Sequence, residues 1–263
     1  MASRSIARTE RRFNLRAWFR IGWLVATLLL LIIPHLLARL LLHRSPVPQL
    51  FLRWAGRAVG LLVRCEGSGL SHNVLFVANH LSWLDIFALG GIGRSRFVAK
   101  AEIASWGIVS WLADQNRTLY VARDQRRSVA SQSQSLREAL GEAQPIAIFP
   151  EGTTGAGQGL LSFRASLFAA VAPPPGDVGI QPVAIDYGKL ATEIAWTDAE
   201  STLDNVCRLL GRPGVIPVTI RFLAPLPEGA TRDRKQIAAA ARAAIGDALN
   251  RDEKPLRHPA QPV

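Results

Sequence analysis

The residues best able to do chemistry in this chain are His80 and Asp85, in the stretch Asn79-His80-Leu81-Ser82-Trp83-Leu84-Asp85. A neutral imidazole takes up a proton near pH 7, and a carboxylate that reaches the ring fixes its tautomer and stabilises the charged form. Such a pair can act as a general base. Five residues of regular helix turn through about 500°, which would leave two helical side chains roughly 140° apart. The chain must therefore bend between them. Val74-Leu75-Phe76-Val77-Ala78 is an apolar run that predicts a buried strand, and Trp83 to Leu89 predicts a helix start. His80 then lies in a strand-to-helix turn, its ring folded over the first helical turn onto Asp85. Ser82-Trp83-Leu84-Asp85 also spells a capping box, with Ser82 as N-cap and Asp85 accepting from free backbone N–H groups. The aspartate thus has a structural use as well as a catalytic one, and a single histidine in a turn is by default only a polar residue.

A second informative block is Phe149-Pro150-Glu151-Gly152-Thr153-Thr154. It closes the apolar run Ile146–Phe149 with a proline, a carboxylate, a glycine that permits tight backbone geometry, and two hydroxyls. Strand ends of this kind are where α/β proteins place ligand groups. Gly155, Gly157 and Gly159 follow, but without the Gly-Lys-Ser/Thr that a phosphate-cradling nucleotide loop needs.

The elements that must carry these blocks are legible as short apolar runs at Leu61–Val63, Val74–Ala78, Leu119–Ala122, Ile146–Phe149, Gly179–Ile185 and Val215–Phe222. They alternate with amphipathic stretches at Arg126 to Ala143 and Arg234 to Leu249, which predicts an α/β domain with helices packed on a sheet. With 263 residues, 49% of them hydrophobic, the chain can bury one substantial core. Cys65 and Cys207 show neither metal-ligand spacing nor a disulfide framework, so reduced thiols and no metal site are expected.

The formal charge of +11 is concentrated at the N-terminus. Arg8, Arg12, Arg16 and Arg20 recur every four residues and would form one stripe on a helix, with Phe13, Trp18 and Phe19 as interfacial bulk. Anionic lipid headgroups are the expected partner, and nucleic acid is the lesser reading of the same charge. Ile21 to Ala38 carries no charge; as a helix it covers about 27 Å, just short of a hydrocarbon core of about 30 Å. Pro34 predicts a kink or break, so a helix pair dipping into one leaflet, with Leu50 to Val63 as its second limb, stands beside a true span. The expected organisation is a basic amphipathic segment over 1–20, a membrane-associated helical pair over 21–63, a catalytic domain over 64–250 and a polar tail over 251–263.

Asn79-His80 with Asp85 resembles the His-x4-Asp motif of the glycerolipid acyltransferases, and Phe149-Pro150-Glu151-Gly152-Thr153 resembles their Pro-Glu-Gly motif. Leu119-Tyr120-Val121-Ala122-Arg123 and Ile180-Gln181-Pro182-Val183-Ala184 resemble two further blocks of that family, in the right order. The resemblance spans roughly Leu61 to Phe222. It implies a single mixed-sheet acyltransferase domain flanked by helices, with a membrane-associated helical segment at its N-terminus. It also implies transfer of a fatty acyl group from an acyl-carrier-protein or coenzyme A thioester, with no other cofactor. The implied acceptor is the free hydroxyl of a lysophospholipid, foremost 1-acyl-sn-glycerol-3-phosphate, giving phosphatidic acid. His80 would be the general base and Asp85 its orienting partner, with Arg123, Glu151, Gly152 and Thr153 binding the acceptor and Lys100 adding positive charge near its phosphate. Arg164 also falls where relatives carry a basic residue. The setting implied is the bacterial inner membrane, with the catalytic domain facing the cytoplasm.

One position departs from the family pattern. After Glu151-Gly152-Thr153 many relatives carry a basic group, whereas this chain has Thr154. A threonine cannot supply the charge or the paired donors with which a guanidinium grips phosphate. A lyso-ornithine lipid, whose headgroup is an amino acid, is accordingly the alternative acceptor. A non-catalytic, membrane-tethered lipid-binding protein is the alternative of a different class.

Overall fold

The computed structural model describes residues 14–42, 45–121, 129–142 and 144–250. Arg123, the arginines ahead of Asn14 and the tail from Arg251 onward lie outside the described residues. Two helices open the described chain, α1 (Leu15–Leu42) and α2 (Val47–Ala58). Seven strands follow: β1 (Leu61–Glu66), β2 (Val74–Ala78), β3 (Arg96–Lys100), β4 (Leu119–Val121), β5 (Ile146–Ile148), β6 (Gly179–Asp186) and β7 (Ile216–Phe222). Between and after them run α3 (Leu84–Gly93), α4 (Ile108–Gln115), α5 (Val129–Leu140), the short α6 (Ala191–Ile194), α7 (Thr202–Gly211) and α8 (Arg234–Asn250).

The strands form one sheet in the order β1-β7-β6-β2-β5-β3-β4. Every neighbouring pair is parallel except β6 and β7, so the sheet is mixed, as expected. Because β6, β2, β5, β3 and β4 share one direction, their C-terminal ends emerge along a single edge, where open α/β sheets place ligands. All five residues of β2 are buried, which explains its unbroken apolar run. Val74, Phe76 and Ala78 join the core on one face with Leu84, Ala88 and Leu89 of α3. Leu75 and Val77 join the core on the other, with Leu136 and Leu140 of α5 and Ile237, Ala241 and Ile245 of α8. The period-two alternation of the strand thus feeds two separate helical layers.

β3 has no counterpart among the runs expected from the sequence. Its pattern, Arg-Phe-Val-Ala-Lys, is too short and too cationic to read as a strand. Arg96 is nevertheless 2% exposed, and its guanidinium donates to the Ala139 carbonyl and lies 3.4 Å from Glu142. The second helix ends at Ala58, and Leu61–Val63, expected both as a strand and as the end of a helical limb, belongs to β1.

α1 continues unbroken through Pro34, whose ring lies on the exposed side of the helix. Its 28 residues extend about 42 Å, longer than the sequence suggested. Ala17, Arg20, Thr27, Leu31 and His35 form a buried stripe along almost the whole helix. Trp18, Phe19, Trp23, Leu29, Leu30 and Ile33 are exposed. Arg16 and Arg20, the described half of the arginine stripe expected at lipid headgroups, are turned to the protein by this packing. Arg20 is buried and donates to the carbonyls of Leu209 (3.1 Å), Leu210 (3.2 Å) and Gly214 (2.8 Å), while Arg16 donates to Gly211 (3.2 Å). These carbonyls belong to the C-terminal end of α7 and the turn after it, where unsatisfied acceptors and the negative end of the helix dipole attract a cation. Four-residue spacing places arginines on one face of a helix but does not say what that face meets.

Candidate active site

The site grows from the end of β2. Asn79 leaves the strand with its side chain acting as one more residue of the ladder: Nδ2 donates to the Ile185 carbonyl (2.9 Å) and Oδ1 accepts from the Ile185 N–H (2.8 Å). This buried pairing fixes where the chain turns away from the sheet. His80 follows, held by its backbone on both sides. Its N–H donates to Glu151 Oε1 (2.9 Å), and its carbonyl accepts from the Gly155 N–H (2.8 Å). Its ring stacks on Phe149, with centroids 4.1 Å apart and planes 15° from parallel.

His80 Nδ1 donates to Asp85 Oδ2 at 2.9 Å, closing the pair that the five-residue spacing predicted. Oδ2 also accepts from the backbone N–H groups of Leu81 (2.7 Å) and Ser82 (2.9 Å), which is half of the expected capping box. The helix itself begins one residue later than that box implies, with Trp83 at the N-cap position. One carboxylate oxygen therefore orients the imidazole and holds the start of the helix together. Since a carboxylate only accepts, the proton of the neutral ring sits on Nδ1, and Nε2 is left with the lone pair a general base requires. With 19% of its side chain exposed, His80 is sheltered yet reachable.

The other oxygen of Asp85 is taken by a residue with no signal in the local sequence. Tyr187, immediately after β6, is buried and donates its hydroxyl to Asp85 Oδ1 at 2.7 Å. Burial, together with the adjacent carboxylate, holds the Tyr187 hydroxyl well above its usual pKa, so it stays a donor across the working range. Four donors thus surround Asp85, which is fully buried, and offset the cost of removing its charge from water. The one sequence cue to Tyr187 was its place directly beyond a buried strand, in a chain with two tyrosines. Its hydroxyl helps to satisfy the buried charge of Asp85. Tyr187→Phe is expected to lower the thermal melt, because it removes a buried hydrogen bond to a charged group, worth about 1.5–3 kcal/mol. A melt unchanged from wild type would show that Tyr187 only fills space.

Glu151 is 3% exposed, and its second oxygen accepts from the Leu161 N–H at 3.0 Å. Burial pushes its carboxyl up, opposed by the hydrogen bonds from His80 and Leu161. Both of its oxygens hold backbone, one strand of it the His80 turn itself. Gly152 permits this loop through a φ of +73°, and its N–H donates to the Phe149 carbonyl (3.1 Å). Thr153 is half-buried. The Thr154 hydroxyl donates to the Trp196 carbonyl, and the Trp196 N–H donates to the Leu81 carbonyl (2.9 Å), so the loop after β5 and the segment after α6 lace the His80 turn in place. Lys100 ends β3, exposed on the same sheet edge, with β5 between its strand and β2. Arg164 is also exposed; its N–H donates to the Pro150 carbonyl (2.8 Å). The structure thus brings His80, Asp85, Glu151 and Gly152 together, adds Tyr187 and Asn79, and leaves Lys100 at the rim.

Comparison with known proteins agrees with this geometry. The Acyltransferase family model matches residues 59–186, a span that includes the His80 turn, the Glu151 loop and β6. A lyso-ornithine lipid O-acyltransferase of Pseudomonas aeruginosa is 34% identical over 213 residues, covering 78% of this chain and 80% of its own. A 1-acyl-sn-glycerol-3-phosphate acyltransferase of Neisseria gonorrhoeae is 38% identical over 110 residues, 42% of this chain and 43% of its own. The crystal structure of the 1-acyl-sn-glycerophosphate acyltransferase of Thermotoga maritima shares the fold, with a TM-score of 0.61 at 18% identity, over 93% of this chain and 97% of that one. The chain belongs to the acyltransferase family. It is an O-acyltransferase of the lysophospholipid acyltransferase type.

Proposed function

We propose that His80 is the general base for direct acyl transfer to the free hydroxyl of a lyso-ornithine lipid at a membrane surface. The observation that carries the mechanism is the 2.9 Å contact from His80 Nδ1 to Asp85 at the ligand-bearing edge of the sheet. Nε2 removes the hydroxyl proton as the oxygen attacks the thioester carbonyl. The tetrahedral oxyanion then collapses, the carbon–sulfur bond breaks, and the departing thiolate takes the proton back from the imidazolium. No covalent acyl-enzyme is needed. The donor in this reading is an acyl-carrier-protein or coenzyme A thioester.

The observation that favours the ornithine headgroup is Thr154. Where many relatives have a basic group beside the Glu151 loop, this side chain turns to the Trp196 carbonyl and offers no charge to a phosphate. The long match to a lyso-ornithine lipid acyltransferase supports the same choice. The phosphate acceptor keeps one specific argument, the exposed cation Lys100 on the catalytic edge. In this reading Glu151 serves by holding the His80 backbone.

The same reading makes the enzyme a monotopic membrane protein. Among the described residues α1 is the one helix long and apolar enough to cross a bilayer. Its buried stripe from Ala17 to His35 lies against the rest of the chain, however, so the helix cannot be surrounded by lipid along its length. A helix with one long face on its own domain and the other apolar and exposed lies in the interface plane of one leaflet. The inner membrane, with the domain on the cytoplasmic side, is the proposed location.

Membranes containing wild-type or His80→Ala protein, given acyl-carrier-protein and coenzyme A thioesters, are expected to acylate lyso-ornithine lipid in a His80-dependent way and 1-acyl-sn-glycerol-3-phosphate far more slowly. A preference for the phosphate acceptor would overturn the headgroup assignment. Failure with both acceptors would overturn the mechanism.

A further inference from the structure

α4 is an apolar helix that the described residues leave uncovered. None of its eight residues is buried. Ile108 is 61% exposed, Val109 46% and Trp111 37%, and Trp106, just ahead of the helix, is 45% exposed. Four large apolar side chains gathered on one short segment mark a surface meant to be covered.

The position of the helix says what covers it. Ile108, Trp111 and Gln115 follow one another at helical spacing, so the apolar face of α4 leads to Gln115. Gln115 Oε1 accepts from His35 Nε2 (3.0 Å) and from Arg39 Nη1 (3.0 Å) of α1. Beside these two residues on α1, Leu36 and Leu40 are exposed. The uncovered face of α4 is therefore continuous with the uncovered face of α1. Its content also suits an interface, since a pair of tryptophans among aliphatic side chains favours the headgroup boundary of a bilayer. The charged residues from Ala101 to Gln115 are Glu102 and Asp114, so the run Trp106–Trp111 that carries the exposed side chains is itself uncharged.

We infer that α4 is a second lipid contact, with Trp106, Ile108, Val109 and Trp111 inserting into the interfacial layer of a phospholipid bilayer beside α1. This rests on the monotopic reading of α1 and extends it. The segment Ala101–Gln115 starts directly after Lys100, at the catalytic edge of the sheet, and ends at α1. Two contacts that are not collinear define a plane, so α4 would fix the rotation of the domain about the α1 axis and hold the catalytic edge at the lipid surface.

The test uses the full chain with both cysteines replaced by alanine, Cys65→Ala and Cys207→Ala. An environment-sensitive fluorophore is attached through Val109→Cys on α4 or, as a reference, Leu29→Cys on α1. Each protein is reconstituted into phosphatidylcholine–phosphatidylglycerol vesicles. Both probes are expected to shift to shorter wavelength, to gain intensity severalfold, and to be quenched by lipids spin-labelled near the headgroup. A response at position 29 with water-like emission at position 109 would overturn the role of α4 while leaving that of α1 intact. A response at position 109 without vesicles, growing with protein concentration, would show that a second copy covers the helix and would equally overturn the proposal. No response at either position would overturn the monotopic reading and this inference with it.

Discussion

His80→Ala is expected to lower kcat by about 100- to 10,000-fold with either thioester donor, the range over which a positioned general base accelerates proton transfer. The argument is geometric. Nδ1 is committed to Asp85, Phe149 stacks against the ring, and both backbone polar groups of His80 are tied to the loop after β5. Nε2 is thus presented in one orientation, and no second histidine follows any of the strands that end at this edge. The substitution removes a ring that is about one-fifth exposed and leaves the backbone hydrogen bonds intact, so the protein should still fold and still associate with lipid. Activity measured beside vesicle co-sedimentation separates the two effects. Undiminished turnover in the alanine variant would favour the non-catalytic reading of the turn, in which His80 is only a polar residue.

Asp85→Asn is expected to cost nearly as much, about 100- to 10,000-fold in kcat, while changing stability little. The amide is isosteric with the carboxylate. Its oxygen can stay where Oδ2 accepts from His80, Leu81 and Ser82, and its NH2 can face Tyr187, whose hydroxyl can rotate to accept. The hydrogen-bond count survives and the negative charge does not. The loss therefore falls on the step in which His80 becomes an imidazolium, not on binding, and KM should be nearly unchanged. Asp85→Ala is a different experiment. It leaves the buried N–H groups of Leu81 and Ser82 without an acceptor, at about 1–3 kcal/mol each, so its thermal melt should fall as well. Comparing the two variants in melts and in turnover isolates the electrostatic role from the capping role.

The sequence carried most of this where local chemistry and burial coincide. β2 and β6 were legible because strands covered on both faces become continuous apolar runs. β3 was not, because its core contribution includes an arginine whose charge is answered from α5, a contact across 43 residues. His80, Asp85 and Glu151 could be found because each lies in a short block with a recognisable order. What Glu151 faces could not, since spacing along the chain does not reveal that both its oxygens meet backbone N–H groups. Tyr187 was invisible for the same reason: it reaches Asp85 from 102 residues away, and only the pairing of β6 with β2 brings them together. Helical periodicity likewise found the stripe on α1 but not the carbonyls of α7 that receive Arg20.

The sheet order has a consequence for biosynthesis. β1 is hydrogen-bonded to β7 alone, and Arg221 of β7 donates to Glu66 of β1 across 155 residues. A ribosome adding about 5–20 residues per second needs roughly 8–30 s to make that stretch, during which β1 is an unpaired edge. α1 is synthesised before the seven strands of the sheet and can enter lipid throughout this interval. The nascent chain can therefore be tethered at the bilayer while its sheet is incomplete, which would keep the open edge away from other nascent chains in solution until β7 arrives to close it.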